Sequence, residues 1–197
     1  MTHEEFKNRL LFVKSQVLSA YELFEAYIYI YNKQASDVST MNLVPGFFQL
    51  TLYAFLNQFV VILSRLYDDD SDSINLSKLR NCFEQSAKGI GLQAAVKKQL
   101  LAQIDELINS QENNVTKLKI LRDKALAHND KLVIKNNVWT ENAQISIKEY
   151  SDLIETAYNI VCICLTAIDE AIPLRTIGIE TDVDLILDSL KAALEIQ

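Results

Sequence analysis

Residues that interrupt helices are scarce in this chain, and their scarcity limits the folds open to it. Among 197 residues there are four glycines and two prolines. Glycine and proline mark turns, so a chain that contains few of them favours long helices over many short strands. The length suits one domain with a well-formed core. We therefore expect an all-α protein, an antiparallel bundle of about five to six helices.

Apolar residues at three- and four-residue spacing, together with capping signals, place these helices. Thr2 and Glu5 have the spacing of a capping box, which predicts a first helix that fades by about Gln34. Ser146 and Glu149 repeat that spacing before a long helix. The second helix is expected to start near Pro45 and to end in the stretch SRLYDDDSDS, residues 64–73. The remaining helices are expected at 75–89 with Asn75 or Ser77 as its cap, at 93–110, at 113–130 with Asn113 or Asn114 as its cap, at 147–171 and at 182–196.

Two further features complete the expected organisation. The stretch 131–140 has β-branched residues on either side of two asparagines, which is compatible with a short β-hairpin. Residues 1–172 are expected to form a helical bundle domain, and residues 173–197 a C-terminal extension with a short helix.

The second helix passes through an uncharged stretch from Leu43 to Ser64 that is long enough to span a membrane. Three side-chain amides lie inside it, and its largest apolar residues fall on one helix face. This stripe consists of Phe48, Leu52, Phe55, Phe59, Ile62 and Leu66. The pattern favours a buried helix, so we expect no membrane association. Arg65 is expected to pair with Asp68 or Asp69.

The cysteines and the N-terminus indicate a compartment. Cys82, Cys162 and Cys164 include no CxxC pair and no Cys/His cluster, so a zinc site is not expected. Reduced core thiols fit a cytosolic protein. The first ten residues carry acidic side chains and no apolar run, unlike a signal peptide. We expect a cytoplasmic protein without a metal or another cofactor.

The segment 121–130, LRDKALAHND, bears most directly on function. It lies in a basic stretch, residues 117–135, with six lysines and arginines against two aspartates, a local charge of +4 in a chain of net charge −7. Arg122 and Asp123 are typical of a solvated helix surface, and His128 would favour a helix C-terminus when protonated. On one continuous helix, Arg122 and His128 would point about 240° apart. They would therefore meet only near the helix end or across two subunits.

The arrangement RDKALAH also resembles the R-x(4-6)-H signature of the HEPN superfamily (higher eukaryotes and prokaryotes nucleotide-binding). The order SRLYD, a helical pair, LRDKALAHND and a long helix is similar to the abortive-infection U-type HEPN proteins over about residues 5–172. The resemblance implies a helical bundle that dimerises around the motif. Many members are metal-independent endoribonucleases of phage defence or toxin–antitoxin systems. It makes Arg122 the motif arginine, Asp123 the polar residue after it and His128 the motif histidine.

The residue types suit RNA cleavage by attack of a 2′-hydroxyl on the adjacent phosphate. Histidine exchanges a proton near neutral pH, and arginine holds a phosphate. One chain supplies one motif histidine for an acid and a base role, so we expect a homodimer with a composite site. Lys119, Lys124 and Lys131 are expected to bind RNA, and an antitoxin is a further candidate partner. The alternative is a non-catalytic helical module that binds a nucleotide or a protein.

Overall fold

The structure is a computed structural model that describes residues 1–68, 73–123, 144–173 and 178–195, apart from the side chains of 87–89 and 194–195. These residues form eight helices and no strand: α1 His3–Ser36, α2 Val38–Met41, α3 Pro45–Leu66, α4 Leu76–Ile90, α5 Ala94–Ser110, α6 Glu112–Leu121, α7 Ile147–Thr166 and α8 Ile179–Glu195. The all-α expectation is confirmed, although the described helices outnumber the five to six expected. The expected hairpin at 131–140 lies outside the described residues.

Both predicted capping boxes form. The backbone N–H of Thr2 donates to Glu5 Oε2 at 2.8 Å, and the backbone N–H of Glu5 donates to Thr2 Oγ1 at 3.1 Å. Before α7, the backbone N–H of Ser146 donates to Glu149 Oε2 at 2.7 Å, and Ser146 Oγ accepts from the Glu149 N–H at 3.2 Å. Each pair satisfies two backbone N–H donors at a helix start, which fixes where the helix begins.

Other helix boundaries differ from the sequence-based expectation. Asn75 caps α4 as predicted, but the helix passes Gly89 and ends before Gly91, whose φ of 74° is the left-handed conformation that glycine adopts easily. Gln111, rather than Asn113 or Asn114, precedes α6. The long helix α7 ends at Thr166 instead of reaching position 171. The short helix α2 follows α1 and was not among the predicted helices.

The chain divides into two compact units. Unit 1 comprises residues 1–18 and 60–173, and unit 2 comprises residues 19–59 and 174–197. The core of unit 1 contains fully buried residues of α1, α3, α4, α5, α6 and α7. They include Phe6, Leu10, Leu63, Leu79, Phe83, Ile104, Leu118, Leu153 and Ile160. Burial of these apolar side chains is the main force that holds the ends of α3, α6 and α7 together.

Unit 2 has its own core and its own ion pairs. The core residues Ile30, Met41, Phe48, Val183 and Leu187 pack together. Around them, Lys33 Nζ lies 2.7 Å from Asp184 Oδ1, and Lys191 Nζ lies 2.7 Å from Asp37 Oδ1. The Tyr29 hydroxyl also donates to Asp184 at 2.7 Å. The C-terminal helix α8 is thereby fixed to the second half of α1 and to the segment after it.

The predicted stripe of α3 is buried. Phe48, Phe59, Ile62 and Leu66 are at most 6% exposed, and Leu52 and Phe55 are partly buried. Among the described residues, α3 is the one helix whose length and composition would allow it to cross a membrane, and 28% of its apolar window is buried. The other face of its first half is apolar and exposed.

Candidate functional site

Of the three motif residues, the structure describes Arg122 and Asp123, which directly follow α6. Leu118 is fully buried, and Val115 and Leu121 on the same stripe are half-buried, so α6 packs against α7 through its apolar face. The backbone continues in helical geometry at Arg122, with φ −56° and ψ −51°. Arg122 follows the stripe directly, and its side chain is 29% exposed. The packing of α6 therefore holds the arginine at the margin of the core.

Arg122 is bound by two carboxylates. Its Nη1 donates to Asp68 Oδ2 at 2.7 Å, and its Nε donates to Asp123 Oδ1 at 2.8 Å. The hydrogen bond that Arg122 donates to Asp123 and the negative charges of Asp68 and Asp123 raise the pKa of Arg122 above its ordinary value. The guanidinium stays charged, and two bonds in different directions restrict its orientation.

Asp68 was not predicted as a partner of the motif. The Asp68 carboxylate bonds to Arg122, 54 residues away in sequence, and the expected pairing of Asp68 with Arg65 stays a prediction. Asp68 is the last residue of the segment SRLYD, which is part of the HEPN resemblance. That segment was the one indication in the sequence that Asp68 belongs near the motif, but no role was assigned to it. Asp69, the other expected partner of Arg65, lies outside the described residues.

The residue before Asp68 fixes the end of α3. Tyr67 is buried, and its hydroxyl donates to the backbone carbonyl of Leu153 in α7 at 2.7 Å. Burial raises the pKa of Tyr67, so the phenol stays neutral and remains a donor. This bond ties the chain just before Asp68 to α7, and so it positions the carboxylate that holds Arg122.

A second ion pair joins α6 to the start of α7. Lys117 Nζ bonds to Glu149, the glutamate of the α7 capping box. The Lys117 hydrogen bond and the two Ser146 hydrogen bonds lower the pKa of Glu149 to about 2. Glu149 therefore stays ionised over the physiological range, and it stabilises the helix start and the α6–α7 contact together.

Lys119 lines a cleft of about 350 Å³ between the end of α3, the start of α4 and α6. Tyr67 and Ser77 also line it. Lys119 and Arg122 are three residues apart on α6, which places them on neighbouring positions of one helix side. Lys119, which is predicted to bind RNA, is therefore a neighbour of the motif arginine Arg122 along α6.

Carboxylates bind two cations of the described part of the basic stretch. Lys117 bonds to Glu149, and Arg122 bonds to Asp68 and Asp123. The local charge of +4 was counted along the sequence alone, and it omitted Asp68 and Glu149 because they come from other segments. Any excess of positive charge depends on Lys124, Lys131 and Lys135.

Several predicted residues remain without structural information. His128, Lys124 and Lys131 lie outside the described residues, so their roles stay predictions. Within the described segments, no three His, Cys, Asp or Glu side chains are grouped to hold a metal ion.

The cysteines lie in or beside the core of unit 1, and none of the three forms a disulfide bond. Cys164 is fully buried, which raises its pKa to about 12. Cys82 is buried, and its Sγ accepts a bond from Arg9 Nη1 at 3.2 Å. Cys162 is half-buried. The expectation of core thiols is confirmed for Cys82 and Cys164.

An all-helical protein with a motif arginine and aspartate at the end of a packed helix has the arrangement expected of the HEPN class. The HEPN family model described as AbiU2 matches residues 3–162, most of the chain, and the matched range includes Arg122, Asp123 and His128. The chain belongs to this AbiU2 family of HEPN proteins, which is of the abortive-infection type. No curated protein and no solved structure matches the chain.

Proposed function

We propose that this protein is a metal-independent endoribonuclease that acts in phage defence or as the toxin of a toxin–antitoxin system. It works as a homodimer in the cytoplasm and needs no cofactor. The observation that carries this proposal is the fixed guanidinium of Arg122, which two carboxylates hold at the margin of the core. Membership in the AbiU2 HEPN family supports the same conclusion.

The reaction follows from the residue types. A base removes the proton of a 2′-hydroxyl, the 2′-oxygen attacks the adjacent phosphorus, and the bond from phosphorus to the 5′-oxygen breaks. An acid returns a proton to the 5′-oxygen, which leaves a 2′,3′-cyclic phosphate and a 5′-hydroxyl. His128 from each of two subunits supplies the base and the acid, because imidazole exchanges protons near neutral pH.

Arg122 stabilises the negative charge that develops on the phosphate oxygens. A guanidinium has five N–H donors, and the bonds to Asp68 and Asp123 use two of them. The other three donors remain for phosphate oxygens, so the two carboxylates orient the arginine and still leave it able to bind a phosphate. Asp123 acts as a positioning residue, and Lys119, Lys124 and Lys131 bind the RNA backbone.

The test is RNA cleavage by the purified protein and its variants. Wild type is expected to cleave, whereas Arg122→Ala and His128→Ala lose activity by at least about a hundredfold, in keeping with the size of acid–base and charge-stabilising contributions. Lys148→Ala is the matched control, because Lys148 is 83% exposed on α7 and pairs only with Asp152 among the contacts seen. Cleavage by His128→Ala at the wild-type rate would contradict the proposal.

A non-catalytic module that binds a protein or nucleotide is the second candidate, and one observation favours it. Lys117 and Arg122 are both bound to carboxylates, which weakens their attraction for RNA. For such a binding module, the candidate protein partner is an antitoxin. Growth arrest on expression that depends on both Arg122 and His128 supports the nuclease, and arrest that persists in both alanine variants supports the binding module.

A further inference from the structure

The cleft that Lys119 lines has an apolar part and a polar end. Its volume is about 350 Å³, and all its lining residues belong to unit 1. The apolar lining residues are buried or half-buried, and they are Leu66, Tyr67, Leu76, Ile108 and Val115. Where α5 ends and α6 begins, the exposed polar residues Asn109 and Glu112 line the cleft. An apolar cleft with a few polar groups is typical of a site that binds a small organic group.

We propose that this cleft binds a guanine base of the RNA, beside the phosphate that Arg122 binds. The inference rests on the proposed ribonuclease function, because it names the base that the same site recognises. Recognition of the base is nevertheless measurable without cleavage, so the two proposals can fail separately.

The order of residues along α6 matches the length of one nucleotide. Glu112, Val115, Lys119 and Arg122 are spaced by three, four and three residues, which places them along one side of the helix. Glu112 and Lys119 are about 10.5 Å apart along the helix axis, at 1.5 Å per residue. This is close to the separation between the phosphorus atom of a nucleotide and the far edge of its base. A phosphate held by Lys119 and Arg122 therefore brings its base to Val115 and the edge of that base to Glu112.

The polar end of the cleft complements guanine better than any other RNA base. The Watson–Crick edge of guanine presents one acceptor, O6, and then two donors, N1–H and the N2 amine. The carboxylate of Glu112 supplies two acceptors, and the side-chain amide of Asn109 supplies a donor. Adenine and cytosine have an acceptor in the middle of this edge, which a carboxylate repels. Uracil offers a single donor between two acceptors.

Both polar side chains have their hydrogen-bonding groups available. Among the residues that the structure describes, no hydrogen bond or ion pair involves the Glu112 carboxylate or the Asn109 amide. Thr116 Oγ1 donates to the backbone carbonyl of Glu112 at 2.9 Å, so this bond does not occupy the carboxylate. Glu112 and Asn109 can therefore bind a base without first breaking a described contact.

The first experiment measures binding of RNA that cannot be cleaved. Short 2′-O-methyl RNAs carry a single guanine, inosine or adenine among uridines, and they lack the 2′-hydroxyl that cleavage needs. Fluorescence anisotropy gives the Kd of each RNA. We expect wild type to bind the guanine RNA roughly tenfold to a hundredfold more tightly than the adenine RNA. Inosine, which lacks only the N2 amine, is expected to fall between them. Equal Kd values for guanine and adenine would overturn the proposal.

The second experiment changes the acceptor pattern of the cleft. Glu112→Gln replaces one of two acceptors with a donor, the pattern that complements adenine. We expect this variant to lose its preference for guanine and to bind the adenine RNA more tightly than wild type does. Glu106→Gln is the matched control, because Glu106 is exposed on α5 and does not line the cleft. Urea unfolding confirms that both variants are folded. An unchanged guanine preference in Glu112→Gln would overturn the proposal.

Cleavage of RNA of random sequence separates this inference from the proposed function. Sequencing of the products is expected to show guanine at one position beside the cleaved bond for wild type, and no such preference for Glu112→Gln. If no RNA is cleaved but guanine binding still depends on Glu112, the ribonuclease is rejected and the guanine site stands. If all four bases are cleaved and bound alike, the guanine site is rejected and the ribonuclease stands.

Discussion

Arg122 Nη1 and Asp68 Oδ2 lie 2.7 Å apart, and this ion pair joins the end of α6 to the segment that follows α3. The two side chains are 29% and 27% exposed, so the pair is partly shielded from water. Together with Asp123, Asp68 restricts the guanidinium to one orientation. The motif arginine is thus in direct contact with a residue far outside the short motif.

The first prediction concerns Asp68. Asp68→Asn keeps the shape of the side chain but removes the charge that orients Arg122. We expect kcat for RNA cleavage to fall by roughly tenfold to a hundredfold, with a small change in KM, because misplaced catalytic groups mainly affect the transition state. The free energy of unfolding is expected to change by about 1 kcal/mol or less, as for other partly exposed ion pairs.

The control for Asp68 is Asp152→Asn, which breaks an ion pair with Lys148 on the surface of α7. It is expected to leave cleavage unchanged. A positioning role would be contradicted if Asp68→Asn were strongly destabilised and the unfolded fraction accounted for its whole loss of activity.

The second prediction concerns the chemistry of the cation. Arg122→Lys keeps the charge but replaces a planar fork with a single ammonium. Its three donors all lie on one nitrogen, so they cannot reproduce the positions of Nε and Nη1 that bond to Asp123 and Asp68. We expect cleavage and growth arrest to be lost almost as fully as in Arg122→Ala. Arg65→Lys, at an exposed position near the end of α3, serves as control. Full activity of Arg122→Lys would show that the geometry of the guanidinium is unimportant.

The third prediction concerns Glu149 and pH. Its pKa is lowered from 4.5 to about 2 in the folded protein, so the unfolded chain binds this proton more readily. The stabilisation from Glu149 is therefore complete above about pH 4.5 and is lost as the pH falls towards 2. Urea unfolding between pH 6 and 2.5 is expected to show a steeper loss of stability in wild type than in Glu149→Gln. Identical pH profiles would mean that Glu149 makes no such contribution.

The fourth prediction concerns Tyr67. Tyr67→Phe removes the hydroxyl that bonds to the Leu153 carbonyl and leaves that buried acceptor without this partner. We expect the free energy of unfolding to fall by about 1–2 kcal/mol. Tyr53→Phe, at a position that is 64% exposed, is expected to change it by less than about 0.5 kcal/mol. Equal urea midpoints for the two variants would rule out a structural role for the Tyr67 bond.

Local features of the sequence predicted much of the fold. The capping boxes at Thr2 and Ser146, the cap at Asn75 and the buried stripe of α3 each depend on residues within a few positions of one another. The helix ends were less predictable, because Gly89 and Gly91 offer similar stop signals and only one adopts the left-handed conformation.

The candidate site was predicted only in part. The motif supplied Arg122 and Asp123, but not Asp68 or Glu149, because those contacts join residues far apart in sequence. For the same reason the count of charges along residues 117–135 did not include Asp68 and Glu149, which bind Arg122 and Lys117. A pattern within one helix does not reveal which carboxylates other helices bring to it.

The most direct test of the central claim is the chemistry of the RNA ends. A 5′-labelled RNA is incubated with purified wild-type protein and with Arg122→Ala in excess EDTA, and the products are analysed by mass spectrometry. We predict that wild type yields 2′,3′-cyclic phosphate and 5′-hydroxyl ends, and that Arg122→Ala leaves the RNA intact. The account would be contradicted if EDTA abolished cleavage, if the products carried 3′-hydroxyl ends, or if the RNA remained uncut by wild type.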